Sequence, residues 1–301
     1  MTKLLVGAVA AMCAVTWAPP AAADVPGLVD IGDGRRLFLD CQGEGTPTVF
    51  VIPGKGSYAA AWNAAVVPDD PIRSSPYDVI DRANVTPTPE SVQPIVARAT
   101  RICVYDRPNT RPDGTDRSTP VTQPHNVQQD VDDVVRLITA AGLPTPLVFV
   151  AHSYGGLVLD LLARQRPDLV SGLVFTEPTS EFLRFVGRPE QNAAFNADAQ
   201  TVAAGEEAVL PDDAFAAIAA APPLPRVPAI VLSADRFADP AVITPDNYTQ
   251  AQIRRANDML AGALGTVDVV IPGTGHNQML YQPRAVADQI LMVVDEVRAT
   301  G

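Results

Sequence analysis

A chain of 301 residues with 47% hydrophobic and 19% charged side chains can build a packed core, as one large domain or two small ones, and is unlike a disordered chain. Its formal net charge of −12 argues against nucleic-acid binding, which needs basic groups to neutralise phosphate, and against adsorption to an anionic membrane surface.

The first 23 residues read as a secretory signal peptide. Lys3 supplies the positive start, Leu4 to Trp17 the short apolar run, and Ala21-Ala22-Ala23 a small-residue cleavage site before Asp24. The run falls short of the roughly 20 residues a bilayer crossing needs, and no later stretch is long and apolar enough. The mature protein is therefore expected outside the cytoplasm, secreted or in the periplasm or cell envelope, without stable membrane insertion. Cys13 leaves with the leader, and Cys41 and Cys103 remain as a pair in an oxidising compartment.

Residues 35–41 alternate and predict a strand. Residues 48–52 form a continuous apolar strand that runs into Pro53-Gly54-Lys55-Gly56-Ser57. Residues 63–94, rich in Pro, Asp and Ser, are expected to be a long surface loop with one helical turn. A strand follows over 101–106 and a helix over 126–141, with Val127, Val131, Val134, Val135 and Ile138 at helical spacing and Gly142 as its stop. The apolar strand 147–151 leads into His152-Ser153-Tyr154-Gly155-Gly156 and a helix over 157–165. Strands at 170–175, 229–233 and 267–271 and a helix over 283–298 complete the series. Strands alternating with helices imply a parallel α/β sheet in a single domain, 24–301. Residues 178–228 interrupt the alternation with Ala-rich helical pieces, and are expected to be a lid over one end of the sheet.

Ala151-His152-Ser153-Tyr154-Gly155 carries the strongest chemical signal. A serine attacks well only when it is exposed and beside a base. A sharp strand-to-helix turn exposes it, and needs small residues two positions either side; Ala151 and Gly155 supply them in the Gly-x-Ser-x-Gly manner. With this turn, the Tyr105-Asp106-Arg107-Pro108 run and His-Ser-Tyr-Gly-Gly, the chain from about Leu28 onward resembles the α/β-hydrolase superfamily, and within it secreted actinobacterial serine hydrolases of the esterase or lipase type.

The resemblance implies a mostly parallel eight-stranded sheet flanked by helices under a short helical lid. It puts the catalytic base at His276, in Gly273-Thr274-Gly275-His276-Asn277. His152 should be a packed, hydrogen-bonded histidine facing away from the hydroxyl, and His125 an incidental loop residue. Two carboxylates compete to orient His276: Glu177, after the strand 170–175, is preferred, and Asp235, after the strand 229–233, is the alternative. The oxyanion hole is expected from the backbone N–H groups of Tyr154 and Lys55, the latter by family alignment. Lys55 is the only lysine after residue 3, and its side chain is read as solvated. Trp62 should pack beneath this loop. In this fold the strands of Cys41 and Cys103 run antiparallel side by side, which implies a disulfide between them.

The expected reaction is two-step acyl transfer on a small-molecule carboxylic ester. The same residues would also serve a prolyl-type aminopeptidase, a C–C bond hydrolase or a cofactor-free haloperoxidase; the remaining alternative is a non-catalytic binding protein on this fold. A haloalkane dehalogenase would need Asp at 153. No metal-ligand spacing and no phosphate-binding glycine loop occur, so no cofactor or metal is expected. The sequence names no protein partner.

Overall fold

The structure, a computed structural model, describes residues 26–111, 115–201 and 206–300. The expected leader, residues 1–23 with Cys13, lies outside them.

Eight strands form one sheet: β1 (Gly27–Gly32), β2 (Arg35–Gln42), β3 (Val49–Ile52), β4 (Ile102–Tyr105), β5 (Leu147–Ser153), β6 (Val170–Pro178), β7 (Ala229–Ala234) and β8 (Asp268–Ile271). Their order is β1-β2-β4-β3-β5-β6-β7-β8. β2 runs antiparallel to both neighbours, and every pairing from β4 to β8 is parallel. Parallel strands need both faces covered, and the side-chain alternation shows how. Phe50 and Ile52 point into one apolar cluster, Val49 and Val51 into the other.

On the first face lie the helices α2 (Val127–Ala140) and α3 (Gly155–Gln165), together with the later helix of residues 250–264. On the second lie α1 (Val92–Ala97) and the C-terminal helix of residues 283–300, with Trp62 fully buried among them. α2 begins where its sequence says it should: Asn126 and Gln129 form a reciprocal capping box. Between β6 and β7 the chain adds α4 (Leu183–Val186), α5 (Pro189–Gln200) and α6 (Pro211–Ala220). After β7 come α7 (Gln250–Leu264), then β8, α8 (Gln278–Tyr281) and α9 (Pro283–Thr300). Cys41 and Cys103 face each other directly in the β2–β4 ladder and are joined as a disulfide.

One expectation fails. Residues 63–94 are not a plain surface loop. Residues 64–66 and 85–87 pair antiparallel, residues 77–78 pair with 237–238, and Val66, Ile72 and Val79 bury against Tyr281. The Pro, Asp and Ser that read as loop serve as turn and cap residues; Asp70, for example, accepts from the N–H groups of Ile72 and Asn84. No helix among the described residues is long and apolar enough to cross a membrane.

Candidate active site

The parallel strands β3, β5, β6, β7 and β8 all end on one edge of the sheet, where ligands of open α/β sheets bind. β5 delivers Ser153 there. Its φ is +54°, in the left-handed region that a non-glycine residue adopts only under constraint. α3 starts two residues later. The turn is so sharp that a side chain at Gly155 would put its Cβ 2.5 Å from the carbonyl oxygen of Ile52. Hence only glycine fits two residues after the serine, whereas Ala151, buried in the strand between Ile52 and Phe175, is tolerated two residues before it.

His276 arrives from the loop after β8. Its Nε2 lies 2.9 Å from Ser153 Oγ, within hydrogen-bond reach. On the other side of the ring, Nδ1 is 3.7 Å from Glu177 Oε2. That is an ion-pair distance, longer than a hydrogen bond, and such contacts commonly tighten when substrate binds. Glu177 sits at the end of β6 with φ +42°. Its other oxygen accepts from the Ala234 N–H at 2.6 Å, which fixes the carboxylate's direction. Asp235 faces elsewhere. Its two oxygens accept from the N–H groups of Gly273 and Thr274 at 2.9 and 3.0 Å, and so shape the start of the His276 loop.

His152 is buried, and its Nε2 lies 2.9 Å from the His276 carbonyl oxygen. An imidazole meeting a carbonyl must donate, so Nδ1 is left as a lone pair, and it has no partner. Burial, and then the neighbouring His276, push its pKa down to about 3; it is neutral at ordinary pH. The two rings lie 4.7 Å apart. His152 is thus packed and hydrogen-bonded as expected, and it braces the backbone of the other histidine.

Asp78 was not foreseen. It comes from the segment 63–94 and accepts from the His276 N–H at 2.8 Å and from the Tyr281 hydroxyl at 2.6 Å. It lies 198 residues from His276 in a run of turn-forming residues, and no local pattern marks it. The expectation for His125 is also overturned. It is buried, not incidental, with Nε2 3.0 Å from Asp130 Oδ1. Its partners come from other elements, and nothing in the Pro-flanked run announces them.

A cavity of about 230 Å³ opens over Ser153. Lys55 and Tyr154, the residues expected to present oxyanion donors, line it, together with Thr179, Phe195, Asp198, Ala199, Val209 and Pro211 from residues 178–228. Tyr154 caps the N-terminus of α3, where the first backbone N–H groups have no partner within the helix. Among the described residues one His–carboxylate group has metal-like spacing, His125, Asp130 and Glu207. Arg107 already sits on both carboxylates, at 2.9 and 2.6 Å.

Comparisons with known proteins agree with this architecture. The alpha/beta hydrolase family model matches residues 87–289. An uncharacterized protein of Schizosaccharomyces pombe is 32% identical over 89 residues, 30% of this chain; the match spans 16% of that protein's length. The chain superposes on a thermophilic esterase from Thermogutta terrifontis with a TM-score of 0.55 at 16% identity, covering 91% of this chain and 99% of that one. It is as similar to an alpha/beta hydrolase fold protein from Burkholderia ambifaria, with a TM-score of 0.55 at 15% identity over 89% and 100% of the two chains. At these identities the likeness is one of fold.

Proposed function

The chain belongs to the alpha/beta hydrolase family, and on that premise we propose that it is a secreted serine hydrolase acting on carboxylic esters with short acyl chains. The observation that carries this reading is the 2.9 Å contact between Ser153 Oγ and His276 Nε2 on a strained turn. In the proposed mechanism Nδ1 of His276 holds its proton towards Glu177, so Nε2 is free to take the serine's proton as Oγ attacks the ester carbonyl. The oxyanion forms against the backbone N–H groups of Tyr154 and Lys55. Protonated His276, stabilised by Glu177, then gives its proton to the departing alcohol. A water molecule, activated by the same imidazole, releases the acid.

The cavity supports the substrate class. At about 230 Å³ it is smaller than the roughly 300–1,000 Å³ of drug-sized sites, and its Phe195, Ala199, Val209 and Pro211 wall suits a few methylene groups. Residues 178–228, which bring that wall, act as the lid. Secretion is supported by the N-terminal sequence and by the Cys41–Cys103 disulfide, which belongs to an oxidising compartment.

Purified protein starting at Asp24 should hydrolyse p-nitrophenyl acetate and butyrate faster than the palmitate, and a fluorophosphonate probe should label it. Ser153→Ala should abolish both. Hydrolysis of no ester in the series, or labelling that survives Ser153→Ala, would overturn the proposal.

A further inference from the structure

The Tyr105-Asp106-Arg107-Pro108 run has no part in the chemistry above, yet Arg107 has no exposed surface at all. Burying a guanidinium is costly unless carboxylates meet it with good geometry. Here two do. Arg107 donates through Nε and Nη2 to Glu207 Oε1 at 2.8 and 2.6 Å, and through Nη2 to Asp130 Oδ1 at 2.9 Å. Burial works against its charge, but the two carboxylates outweigh this and hold its pKa far above the usual range.

Each carboxylate then uses its second oxygen on the serine site. Glu207 Oε2 accepts from the Gly56 N–H at 2.5 Å. Asp130 Oδ2 accepts from the Tyr154 hydroxyl at 3.0 Å. Gly56 follows Lys55, so one arm holds the backbone next to one expected oxyanion donor, and the other holds the side chain of Tyr154, whose backbone N–H is the second expected donor. A peptide unit is planar, so holding the Gly56 N–H holds the plane between residues 55 and 56. The Ser57 N–H to Gly54 O bond, at 3.0 Å, closes the same turn from inside. Glu207 itself belongs to residues 178–228, the segment that roofs the serine.

We propose that Glu207 is a positioning residue for the oxyanion hole: the roofing segment supplies the carboxylate that fixes the Lys55-Gly56 turn, and Arg107 ties that turn to the nucleophile's own turn through Asp130 and Tyr154. The inference rests on the reading of Ser153 as an acyl-transfer nucleophile. It makes the roof part of the catalytic geometry, because Glu207 holds the Gly56 end of the turn that carries the Lys55 donor. Donors of this kind act by being fixed before the charge develops, so a loosened turn lowers kcat while substrate, held mainly by the apolar wall, keeps its KM.

The test uses the mature protein, p-nitrophenyl butyrate, a fluorophosphonate and amide hydrogen exchange. Glu207→Ala should lower kcat and the phosphonylation rate about 10–100-fold, change KM less than about threefold, and speed exchange at Gly56. Glu207→Gln has one acceptor for two donors; the buried guanidinium takes its oxygen and its NH₂ meets the Gly56 N–H, so it should lose nearly as much rate as the alanine variant. Glu207→Asp keeps both acceptors but is one methylene shorter, so it should retain more rate than Glu207→Gln and less than wild type, and this pair carries the test if the alanine variant does not fold; equal rates in the two would overturn the brace. Asp133→Ala, which breaks the Arg35–Asp133 ion pair away from the serine, should lower stability and leave kcat unchanged. Folded Glu207→Ala with kcat within twofold of wild type, or a loss confined to KM, would overturn the positioning role. Wild-type protein inert to both reagents would instead bring down the nucleophile, and faster Gly56 exchange in Glu207→Ala would then still decide the brace.

Discussion

Glu177→Gln is the sharpest probe of the proposed triad. The glutamate is held by the Ala234 N–H on Oε1, with Oε2 towards His276 Nδ1. In the amide variant the oxygen must stay on Ala234, because that partner is a donor, so the NH₂ group turns to His276. Nδ1 must then be the lone pair and Nε2 must carry the proton, which is the tautomer that cannot accept from Ser153. A comparable carboxylate-to-amide change in a serine triad costs about 10⁴ in kcat. The 3.7 Å separation means a looser resting contact, so the expected loss is about 10²–10⁴, or about 3–5 kcal/mol of barrier. KM should hardly move. Asp235→Asn is the matched control. Asparagine keeps one of the two acceptors for Gly273 and Thr274, so it should cost about 1–2 kcal/mol of stability and leave kcat within about fivefold. Initial rates on p-nitrophenyl butyrate and urea unfolding of both variants decide the matter. If Asp235→Asn lost as much rate as Glu177→Gln, or Glu177→Gln kept more than a tenth of the wild-type kcat, this assignment of the acid would be refuted.

Ser153→Gly relieves a positive φ that Ser153→Ala retains, so it should be the more stable of two inactive proteins by about 1 kcal/mol on thermal melting; equal melting temperatures would argue that the turn is unstrained. Gly275→Ala would drive a Cβ to 2.1 Å from Asp78 Cγ and force the His276 loop off its anchor; kcat should fall about tenfold or more while the far-ultraviolet spectrum stays native. Removing the disulfide as Cys41→Ser with Cys103→Ser frees a loop whose ends are 62 residues apart, and should cost about 4 kcal/mol on the chain-entropy model, read by urea unfolding. His152 is neutral in the fold with a pKa of about 3 against 6.5 unfolded, so its contribution is complete above pH 6.5 and is lost as pH falls towards 3. By pH 5 the loss is about 2 kcal/mol, partly offset by Asp160, whose pKa burial raises to about 6, so that the fold holds a proton there that the unfolded chain lacks. His152→Gln should lose less stability than wild type between pH 7 and pH 5, and parallel losses would refute the argument.

Local chemistry made part of this molecule legible. Ser153 is readable because its turn imposes size limits on residues two positions away, and the buried strands because parallel sheets need unbroken apolar runs. Two further elements are marked by their local chemistry. Asp33-Gly34, with φ +55° and +72°, is the turn of the β1–β2 hairpin, and the Thr249–Gln252 capping box announces α7. The preference for Glu177 over Asp235 rests on the family resemblance, because the strand boundary that separates them is not marked in the residues. β6 runs on to Pro178 instead of ending at residue 175, and so carries Glu177, whose Oε2 lies 3.7 Å from His276 Nδ1. Asp78, Arg107 and Glu207 act across separations of about 100 to 200 residues, so sequence spacing holds no trace of their pairing.

Backbone strain supports the same assignment from another direction. Among the described residues four other than glycine have positive φ: Asp33, Asn109, Ser153 and Glu177. Asp33 turns a hairpin, and Asn109 uses its side chain to accept from the Val121 N–H, both ordinary uses of residues that tolerate this region. Ser153 and Glu177 have no such tolerance. They end the adjacent strands β5 and β6, at the point where the ladder shifts register and Ser153 pairs with Pro178. Each such residue costs about 1–3 kcal/mol and persists only where its surroundings over-determine it. The surroundings here are a two-faced apolar core, a helix that starts at once, and the Thr179 N–H to Ser153 O bond at 2.9 Å. A sheet built for stability alone would relax both residues. That the strain falls on the hydroxyl and on the carboxylate at the two ends of one imidazole is what a site arranged for proton transfer requires.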